Sequence, residues 1–283
     1  MHLNRQKINK IKIVPSSNSN VINKKKGKII SRKPKINVQN NRQKSPIHVI
    51  KSPDFFKRSK AYNIYKPLEE WSGLLKGHPA FILGNSPSLN NYNLELLNDY
   101  FTIGVNRIFY IFDPIIHIWQ DKKIWIEHKE DILKQNSIKL SKESSDPEKL
   151  FINFKHQGGD FKIIPNSYYL CGIGNTGALA AQLAINLGCS HLILLGMDCK
   201  YDKNGDTDFY GKNKDHKSYT LRFCNKGMQW LKNNCPVPIY SCGDSPLWPK
   251  SNLDSIIDSL KPENKGREFF ENMFRKKKIY DKE

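Results

Sequence analysis

The stretch Ala80-Phe-Ile-Leu-Gly-Asn-Ser-Pro-Ser-Leu89 decides the predicted fold. Its first four residues are apolar or small, and the Gly-Asn-Ser-Pro-Ser sequence that follows favours a turn. This order predicts a buried strand, a tight turn and the amino end of a helix, whose first backbone N–H groups have no intrahelical partner. Because such an end attracts anions, the stretch predicts a phosphate-binding site. Taken alone, it also fits an ordinary junction between a strand and a loop.

The positive charge of the chain is concentrated in its first quarter. Residues 1–66 contain 18 Lys and Arg against one acidic residue, Asp54, whereas residues 67–283 contain 28 against 26. The first segment has few large apolar residues, so we predict a basic, largely disordered tail over 1–66. Such a tail either binds a polyanion (nucleic acid, an anionic polymer or an acidic membrane face) or is a solvated segment with no dedicated partner.

The cysteine pattern and the hydropathy exclude several classes. The six cysteines form no CxxC pair and follow no secretory leader, so we predict reduced thiols in a cytoplasmic protein, without a zinc or disulfide framework. No apolar run approaches the ~18 residues of a membrane span. We therefore predict that the chain has no transmembrane segment.

Apolar runs alternate with helical patterns along the rest of the chain. The predicted strands are residues 80–83, 100–105, 115–119, 163–164, 192–195 and 238–242, and the predicted helices are 65–77, 94–98, 178–187, 219–233 and parts of 251–283. Residues 122–160 are predicted as a helix followed by a loop. Strand and helix alternation predicts an α/β fold, a Rossmann-like doubly wound and mainly parallel sheet, in a domain over 67–260 followed by a helical, basic extension over 261–283.

Two loops between these elements have the composition of ligand-binding segments. Gly174-Asn-Thr-Gly177 is a second glycine-rich loop before a helix, and it predicts a second site where backbone N–H groups approach a phosphate. The chain lacks GxxxxGK[ST], which argues against a P-loop NTPase, and the glycines of Gly172-Ile-Gly-Asn-Thr-Gly177 give only weak support to a dinucleotide enzyme. Residues 199–215 are polar and unperiodic, which is typical of a lid over the strand ends.

Four motifs occur together and in order: Gly84-Asn-Ser-Pro-Ser-Leu89, Gly104-Val-Asn-Arg107, Gly174-Asn-Thr-Gly-Ala178 and Leu194-Leu-Gly-Met-Asp198. As a set they resemble the superfamily of bacterial lipo-oligosaccharide sialyltransferases, motility accessory factor glycosyltransferases and 6-hydroxymethylpterin pyrophosphokinase-like proteins, including phage members of the same build. The resemblance covers about residues 78–245. The sialyltransferase form of the first motif is GNGPSL, and Ser86 replaces its middle glycine.

The resemblance implies which residues lie at the nucleotide of a donor. In the first two motifs these are Gly84, Asn85, Ser86, Ser88 and Asn106, and in the last two they are Asn175, Thr176, Gly177, Gly196 and Asp198. Each asparagine also fits a turn-forming residue that bonds its own backbone.

The segment around the predicted lid supplies the candidate chemistry. His216 lies where the resembled sialyltransferases keep a general-base histidine, and an imidazole titrates near neutral pH. Tyr201 and Tyr210 lie in the stretch whose tyrosines steady the leaving phosphate in that family. Asp206 and Asp208 have the DxD spacing that holds a divalent ion in many glycosyltransferases, although the resembled sialyltransferases use no metal.

The favoured function is glycosyl transfer from a nucleotide-sugar donor to a hydroxyl acceptor, such as a glycan or a nucleic acid, with no cofactor. An alternative is pyrophosphoryl transfer from ATP to a pterin-like alcohol, with Mg²⁺ held by Asp198, Asp206 or Asp208. A third hypothesis is a non-catalytic, nucleic-acid-associated protein that binds through its basic tail.

Overall fold

The strands of this computed structural model form one parallel sheet. The structure describes residues 66–156, 163–164, 167–172, 174–214, 216–261 and 266–276. Its strands are β1 (Pro79–Leu83), β2 (Thr102–Val105), β3 (Ile116–Trp119), β4 (Ile138–Lys142), β5 (Ile152–His156), β6 (Tyr169–Leu170), β7 (His191–Leu195) and β8 (Ile239–Ser241). Neighbouring strands pair in the order β6-β5-β4-β3-β2-β1-β7-β8, and each pair is parallel. The predicted Rossmann-like α/β fold is confirmed.

Helices cover both faces of the sheet. They are α1 (Lys66–Glu70), α2 (Lys122–Lys134), α3 (Thr176–Asn186), α4 (Ser218–Asn234), α5 (Leu253–Ser259) and α6 (Arg267–Lys276), with short 3₁₀ helices at Pro87–Asn91, Leu94–Leu97, Ile108–Tyr110 and Glu143–Ser145. Among the helices of the described residues, none has the length and hydropathy that crossing a membrane requires.

Strand β1 shows how the sequence fills both faces. Ala80 and Ile82 point into a core that contains the apolar residues of α3, whereas Phe81 and Leu83 pack with Leu89 on the opposite face. Side chains alternate across a strand, and all five residues of β1 are buried. A strand covered on both faces therefore appears in the sequence as a continuous apolar run.

The point where the chain reverses its direction across the sheet lies beside β1. From β1 the chain continues through β2 towards β6, and it later returns to place β7 on the other side of β1, next to β8. Leu83 pairs with Gly104 of β2 and with Leu195 of β7, so the three strands end at the same level. Ligands of such sheets bind at the carboxyl ends of the strands, near the reversal point.

Two parts of the predicted secondary structure are wrong. The segment after α2, which was predicted as a loop, contains β4 and β5. Residues 163–164, which were predicted as a strand, are not in one, and the strand that follows β5 is β6. Strand β4 was not predicted, because Lys139 interrupts its apolar pattern. The side chain of Lys139 is nevertheless buried, since its Nζ donates to the carbonyl oxygens of Gln135 and Ser137.

The segment after the first motif is also shorter than a regular helix. Pro87–Asn91 forms only a five-residue 3₁₀ helix, and the backbone N–H of Ser88 donates to the carboxylate of Asp198 at 3.4 Å. The predicted run of unpaired N–H groups at a helix end is therefore not present there.

The chain termini bear on the predicted domains. Residues 1–65 of the predicted tail, and residues 262–265 and 277–283 of the predicted extension, lie outside the described residues. Within α6, Phe270 and Phe274 are fully buried, and Phe274 packs edge-on against Trp71. The domain limits stay a prediction.

Candidate functional site

A cleft of about 430 Å³ opens above the carboxyl ends of β1, β2 and β3. Its walls come from the loops after these three strands, the predicted lid and the beginning of α4. The lining residues are Asn85, Asn106, Arg107, Asp121, Lys122, Lys123, Ile124, Asp208, Tyr210, Asn213, His216 and Thr220. The structure thus brings together Asn85, Asn106, Asp208, Tyr210 and His216, which the sequence placed in three separate segments.

Asn85 connects three parts of the cleft wall. Its Nδ2 donates to the carbonyl oxygen of Val105 at 2.8 Å, and its Oδ1 accepts the backbone N–H of Arg107 at 3.0 Å. Its own carbonyl oxygen accepts the N–H of Phe209, in the lid, at 2.7 Å. Asn85 therefore holds the end of β2 and the lid at fixed positions relative to β1.

Asn106 contributes an acceptor without a partner. Its backbone has φ of 50°, in the left-handed region, and its carbonyl oxygen accepts from Nε2 of His117 at 2.7 Å. His117 is fully buried, and burial lowers its pKa to about 3, so this imidazole is neutral. The side-chain oxygen of Asn106 is buried and has no hydrogen-bond partner among the described residues. An N–H or O–H group of a ligand in the cleft would satisfy it.

His216 is paired with a buried carboxylate. Its Nδ1 lies 3.0 Å from Oδ2 of Asp208, whose side chain is 2% exposed. Burial alone lowers the pKa of His216, but its interaction with Asp208 outweighs burial and raises the pKa above the ordinary 6.5. Nδ1 lies beside Asp208 without the angles of a regular hydrogen bond, and Nε2 is the ring nitrogen left to accept a proton. A carboxylate, an imidazole and a cleft are the parts that general-base catalysis needs.

The contact between Asp208 and His216 also bears on whether the DxD motif can hold a metal ion. Asp208 accepts from Oγ1 of Thr207 at 2.8 Å as well as facing His216, while Asp206 contacts the turn around Asp202 through its backbone. In the part of the chain that the structure describes, no three His, Cys, Asp or Glu side chains are grouped so as to hold a metal ion. The two acidic residues therefore occupy different surroundings despite their spacing.

Arg107 holds the lid against the end of β2. Its Nη1 donates to the hydroxyl oxygen of Tyr210 at 3.0 Å, and its Nη2 lies 3.3 Å from Glu127. The Tyr210 hydroxyl also accepts from Nδ2 of Asn213 at 3.1 Å. Burial, the negative charge of Asp208 and a hydrogen bond to that carboxylate raise the pKa of Tyr210, so its hydroxyl keeps the proton. Tyr201 is exposed and is not among the residues that line the cleft.

Three predicted nucleotide residues, Ser86, Ser88 and Asp198, form a polar cluster beside the cleft, between β1 and β7. Oγ of Ser88 donates to Oδ1 of Asp198 at 2.8 Å, and Oγ of Ser86 accepts the backbone N–H of Asp198 at 3.0 Å. Oδ1 of Asp198 also accepts the N–H of Asp244. A Cβ atom on Gly84 would lie 2.0 Å from the carbonyl oxygen of Gly196, so these glycines permit the close contact of the two loops.

The glycine-rich loop before α3 is also occupied by its own contacts. Oδ1 of Asn175 accepts the N–H groups of Gly177 and Ala178, and caps the helix. Oγ1 of Thr176 accepts from Nε2 of Gln120, which follows β3, at 2.9 Å. This loop therefore lies at the same edge of the sheet as the cleft but does not contribute to its lining. The nucleotide roles of these residues and of the cluster around Asp198 stay predictions.

Sequence reasoning missed part of the lining. Lys122 and Lys123 begin α2, directly after the polar end of β3, and both are exposed at the cleft. Ligands of parallel sheets bind where the strands end, and Lys122 and Lys123 continue the turn after β3, so this rule would have indicated them. No periodic pattern in the sequence indicates the contact between Asp208 and His216, because this contact depends on the turn that hydrogen bonds close between Asp208 and Gly211.

The fold and the cleft define an α/β protein of Rossmann-like build with a cleft at the carboxyl edge of its sheet. No protein-family model and no curated protein matches the chain. Among solved structures, it is similar to the MAf glycosyltransferase from Magnetospirillum magneticum AMB-1, with 13% identity and a TM-score of 0.47 over 76% of this chain and 40% of the other. This chain therefore matches less than half the length of that enzyme.

Two sialyltransferases are also similar. The sialyltransferase CstII from Campylobacter jejuni, solved with cytidine-5'-monophosphate, has 13% identity and a TM-score of 0.37 over 68% of this chain and 88% of its own. A mammalian sialyltransferase has 10% identity and a TM-score of 0.33 over 67% and 85%. All three likenesses are too distant to bear on activity.

Proposed function

We propose that this protein is a glycosyltransferase that moves a sugar from a nucleotide-sugar donor to a hydroxyl acceptor. The observation that carries the proposal is the 3.0 Å contact between His216 and the buried Asp208, on the wall of a cleft at the carboxyl edge of the sheet. The order of the four sequence motifs supports the donor class.

In the proposed reaction, Nε2 of His216 takes the proton of the acceptor hydroxyl as its oxygen attacks the anomeric carbon. The bond between that carbon and the donor phosphate breaks, and the nucleotide leaves with the negative charge. Asp208 orients the imidazole and stabilises its protonated form. Because His216 takes the proton, the acceptor in this proposal binds on the side of the cleft formed by the lid and the beginning of α4.

The wall formed by the loops after β2 and β3 fits the departing nucleotide. Arg107, Lys122 and Lys123 supply positive charge there, where the phosphate would become more negative, and Tyr210 contacts Arg107 from the lid. The unpartnered oxygen of Asn106 fits a donor group, such as a ribose hydroxyl or a base amine. The cleft therefore offers both cationic groups and a polar acceptor to one ligand.

Pyrophosphoryl transfer draws less support from the contacts. It would need free carboxylates for Mg²⁺, but Asp198 accepts from Ser88 and Asp244, and Asp208 faces His216. Binding of a polyanion by the basic tail is a separate prediction, because that tail lies outside the described residues.

A nucleotide screen tests the proposal. The full-length protein is heated with CMP, UDP, GDP, ADP or ATP, with and without Mg²⁺; a ligand at 100 times its Kd adds about 2.7 kcal/mol of stability. We expect stabilisation by a glycosyl-donor nucleotide without Mg²⁺, and release of that nucleotide from its sugar conjugate when an acceptor is added. Stabilisation by ATP with Mg²⁺ alone, with AMP as product, would contradict the proposal.

A variant of Asn106 separates binding in the cleft from binding elsewhere. Asn106→Gly removes the amide and tolerates the positive φ, so it should reduce the stabilisation without strain. Asn98→Gly, at an exposed position away from the cleft lining, serves as the matched control and should leave the stabilisation unchanged.

A further inference from the structure

A histidine of α2 contacts Arg107 at the edge of the cleft. Nε of Arg107 donates to Nε2 of His128 at 3.1 Å, and the side chains of Arg107 and His128 are only 14% and 15% exposed. Nδ1 of His128 lies 3.3 Å from the hydroxyl oxygen of Tyr110. Because Nε2 accepts a hydrogen bond, the imidazole is neutral and carries its proton on Nδ1, beside Tyr110.

The groups around His128 favour this neutral form. Burial and the positive charge of Arg107 lower the pKa of His128. The negative charges of Glu127 and Asp131, both on α2, act in the opposite direction but do not outweigh them. Oε2 of Glu127 lies 3.8 Å from Nε2 of His128, which is too far for a hydrogen bond, and Phe109 packs against the imidazole as an uncharged ring. His128 can therefore accept from Arg107 at neutral pH.

The backbone of α2 is interrupted at the same residue. His128 has a φ of −132° and a ψ of 22°, which are not helical, within a helix that otherwise runs over Lys122–Lys134. Proline and glycine are common causes of a kink, and α2 contains neither. The direction of a side chain depends on its backbone, so the imidazole of His128 does not follow the course of a regular helical residue. The interruption thus coincides with the contact to Arg107.

The contacts of Arg107 leave part of its guanidinium available to a ligand. A guanidinium has five N–H donors. In Arg107, Nε donates to His128, Nη1 donates to Tyr210 at 3.0 Å, and Nη2 donates to Glu127 at 3.3 Å. Among the contacts of the described residues, these three bonds leave one N–H on each Nη atom, and Arg107 lines the cleft. Two N–H groups on neighbouring nitrogens match two oxygens of one phosphate.

We infer that Arg107 forms a phosphate subsite of the cleft and that His128 is its positioning residue. The inference rests on the proposed function, in which this phosphate belongs to the nucleotide-sugar donor. His128 holds Nε, while Tyr210 and Glu127 hold the two Nη atoms, so the guanidinium plane is fixed before a ligand binds. A side chain that is already fixed loses little conformational freedom when it binds a phosphate.

Binding of inorganic pyrophosphate to the full-length protein, measured by calorimetry without Mg²⁺, tests the subsite. Arg107→Gln should remove binding in the cleft, and what remains is the background from the other cations of the chain. His128→Leu should weaken the cleft binding about 10-fold, because Nε loses its acceptor. His128→Gln should retain this binding, because its amide oxygen can accept the same N–H. Glu130→Leu, at an exposed position of α2, is the matched control and should bind as the wild type does.

Equal binding of pyrophosphate by the wild type and Arg107→Gln would overturn the inference, and so would equal binding by the wild type and His128→Leu. The tautomer of His128 in the wild-type protein gives a second readout that does not depend on how well a variant folds. NMR at neutral pH should show a proton on Nδ1 and none on Nε2. A proton on Nε2 would also overturn the inference, since that atom could not then accept from Arg107.

The subsite and the transfer reaction can fail separately. If pyrophosphate binding depends on Arg107 and His128 but no nucleotide of the screen binds, the proposed function fails and the subsite stands. If a nucleotide binds and its sugar is transferred while His128→Leu binds pyrophosphate as the wild type does, the subsite inference fails and the proposed function stands.

Discussion

Oγ of Ser88 donates a 2.8 Å hydrogen bond to Oδ1 of Asp198, so a carboxylate of the protein lies where the first motif predicts an external anion. Asp198 is 4% exposed and also accepts the N–H groups of Ser88 and Asp244. The loops after β1, β7 and β8 therefore all contact one buried carboxylate. The cleft lies beside this cluster, over β1, β2 and β3.

Replacing that charge should destabilise the fold. Asp198→Asn keeps the size of the side chain but loses an acceptor, and we expect a loss of about 2–3 kcal/mol, since hydrogen bonds to charged groups contribute ~1.5–3 kcal/mol. Urea denaturation measures the difference. Asp99→Asn, at an exposed position, is the control and should change stability by less than about 0.5 kcal/mol. Equal stability of the two variants would mean that Asp198 does not hold the loops together.

Asp208 should set the proton affinity of His216. Asp208→Asn removes the negative charge and leaves burial, which lowers the pKa of a histidine, so the pKa of His216 should fall. An NMR titration of the imidazole measures this directly. Asp206→Asn, which changes the neighbouring acid in the lid, should leave the titration unchanged. A His216 pKa that is the same in both variants would contradict the pairing.

The buried His117 should make the fold sensitive to acid. Its pKa is lowered to about 3, whereas the unfolded chain has the ordinary 6.5, so the unfolded state binds a proton first as the pH falls. Stability should therefore decrease from about pH 6.5 towards pH 3, and His117→Asn should flatten this dependence. His216 has the opposite sign, since its raised pKa gives stability below pH 6.5 that is lost as the pH rises through the raised value. Chemical denaturation at several pH values distinguishes the two.

The contact between Arg107 and Tyr210 should keep the lid closed. Tyr210→Phe removes the hydroxyl that accepts from Nη1 of Arg107. The loss of one such hydrogen bond should raise the equilibrium constant for local opening of the lid about 10-fold. Limited trypsin digestion should then cut the lid, which contains Lys203, Lys212 and Lys214, about 10-fold faster. Tyr219→Phe, on the exposed face of α4, is the control and should be cut at the wild-type rate.

The sequence predicted the parts of the fold whose signal is local. The apolar runs of β1 and β7 and the helical pattern of α3 were recognised because buried parallel strands and their crossover helix have few polar residues. Strand β4 was missed, because Lys139 reaches backbone carbonyl groups that no sequence pattern reveals.

The site was predictable where residues follow strands directly. Asn85 and Asn106 do so, and both line the cleft. The partner of His216 was not predictable, because the spacing of Asp208 suggested only a conditional metal role, while its actual contact depends on how the lid folds. Spacing in sequence carries information only within regular elements, and the lid has none over 199–214.

The central claim is that His216 takes a proton in a nucleotide-dependent transfer. Its most direct test is the rate of nucleotide release from the donor found in the screen, measured for His216→Asn and for the control His191→Asn at the far end of β7. Asparagine can still donate to Asp208, so nucleotide stabilisation should be retained, while turnover should fall about 10²–10⁴-fold. Turnover of His216→Asn within a few-fold of the control would contradict the account.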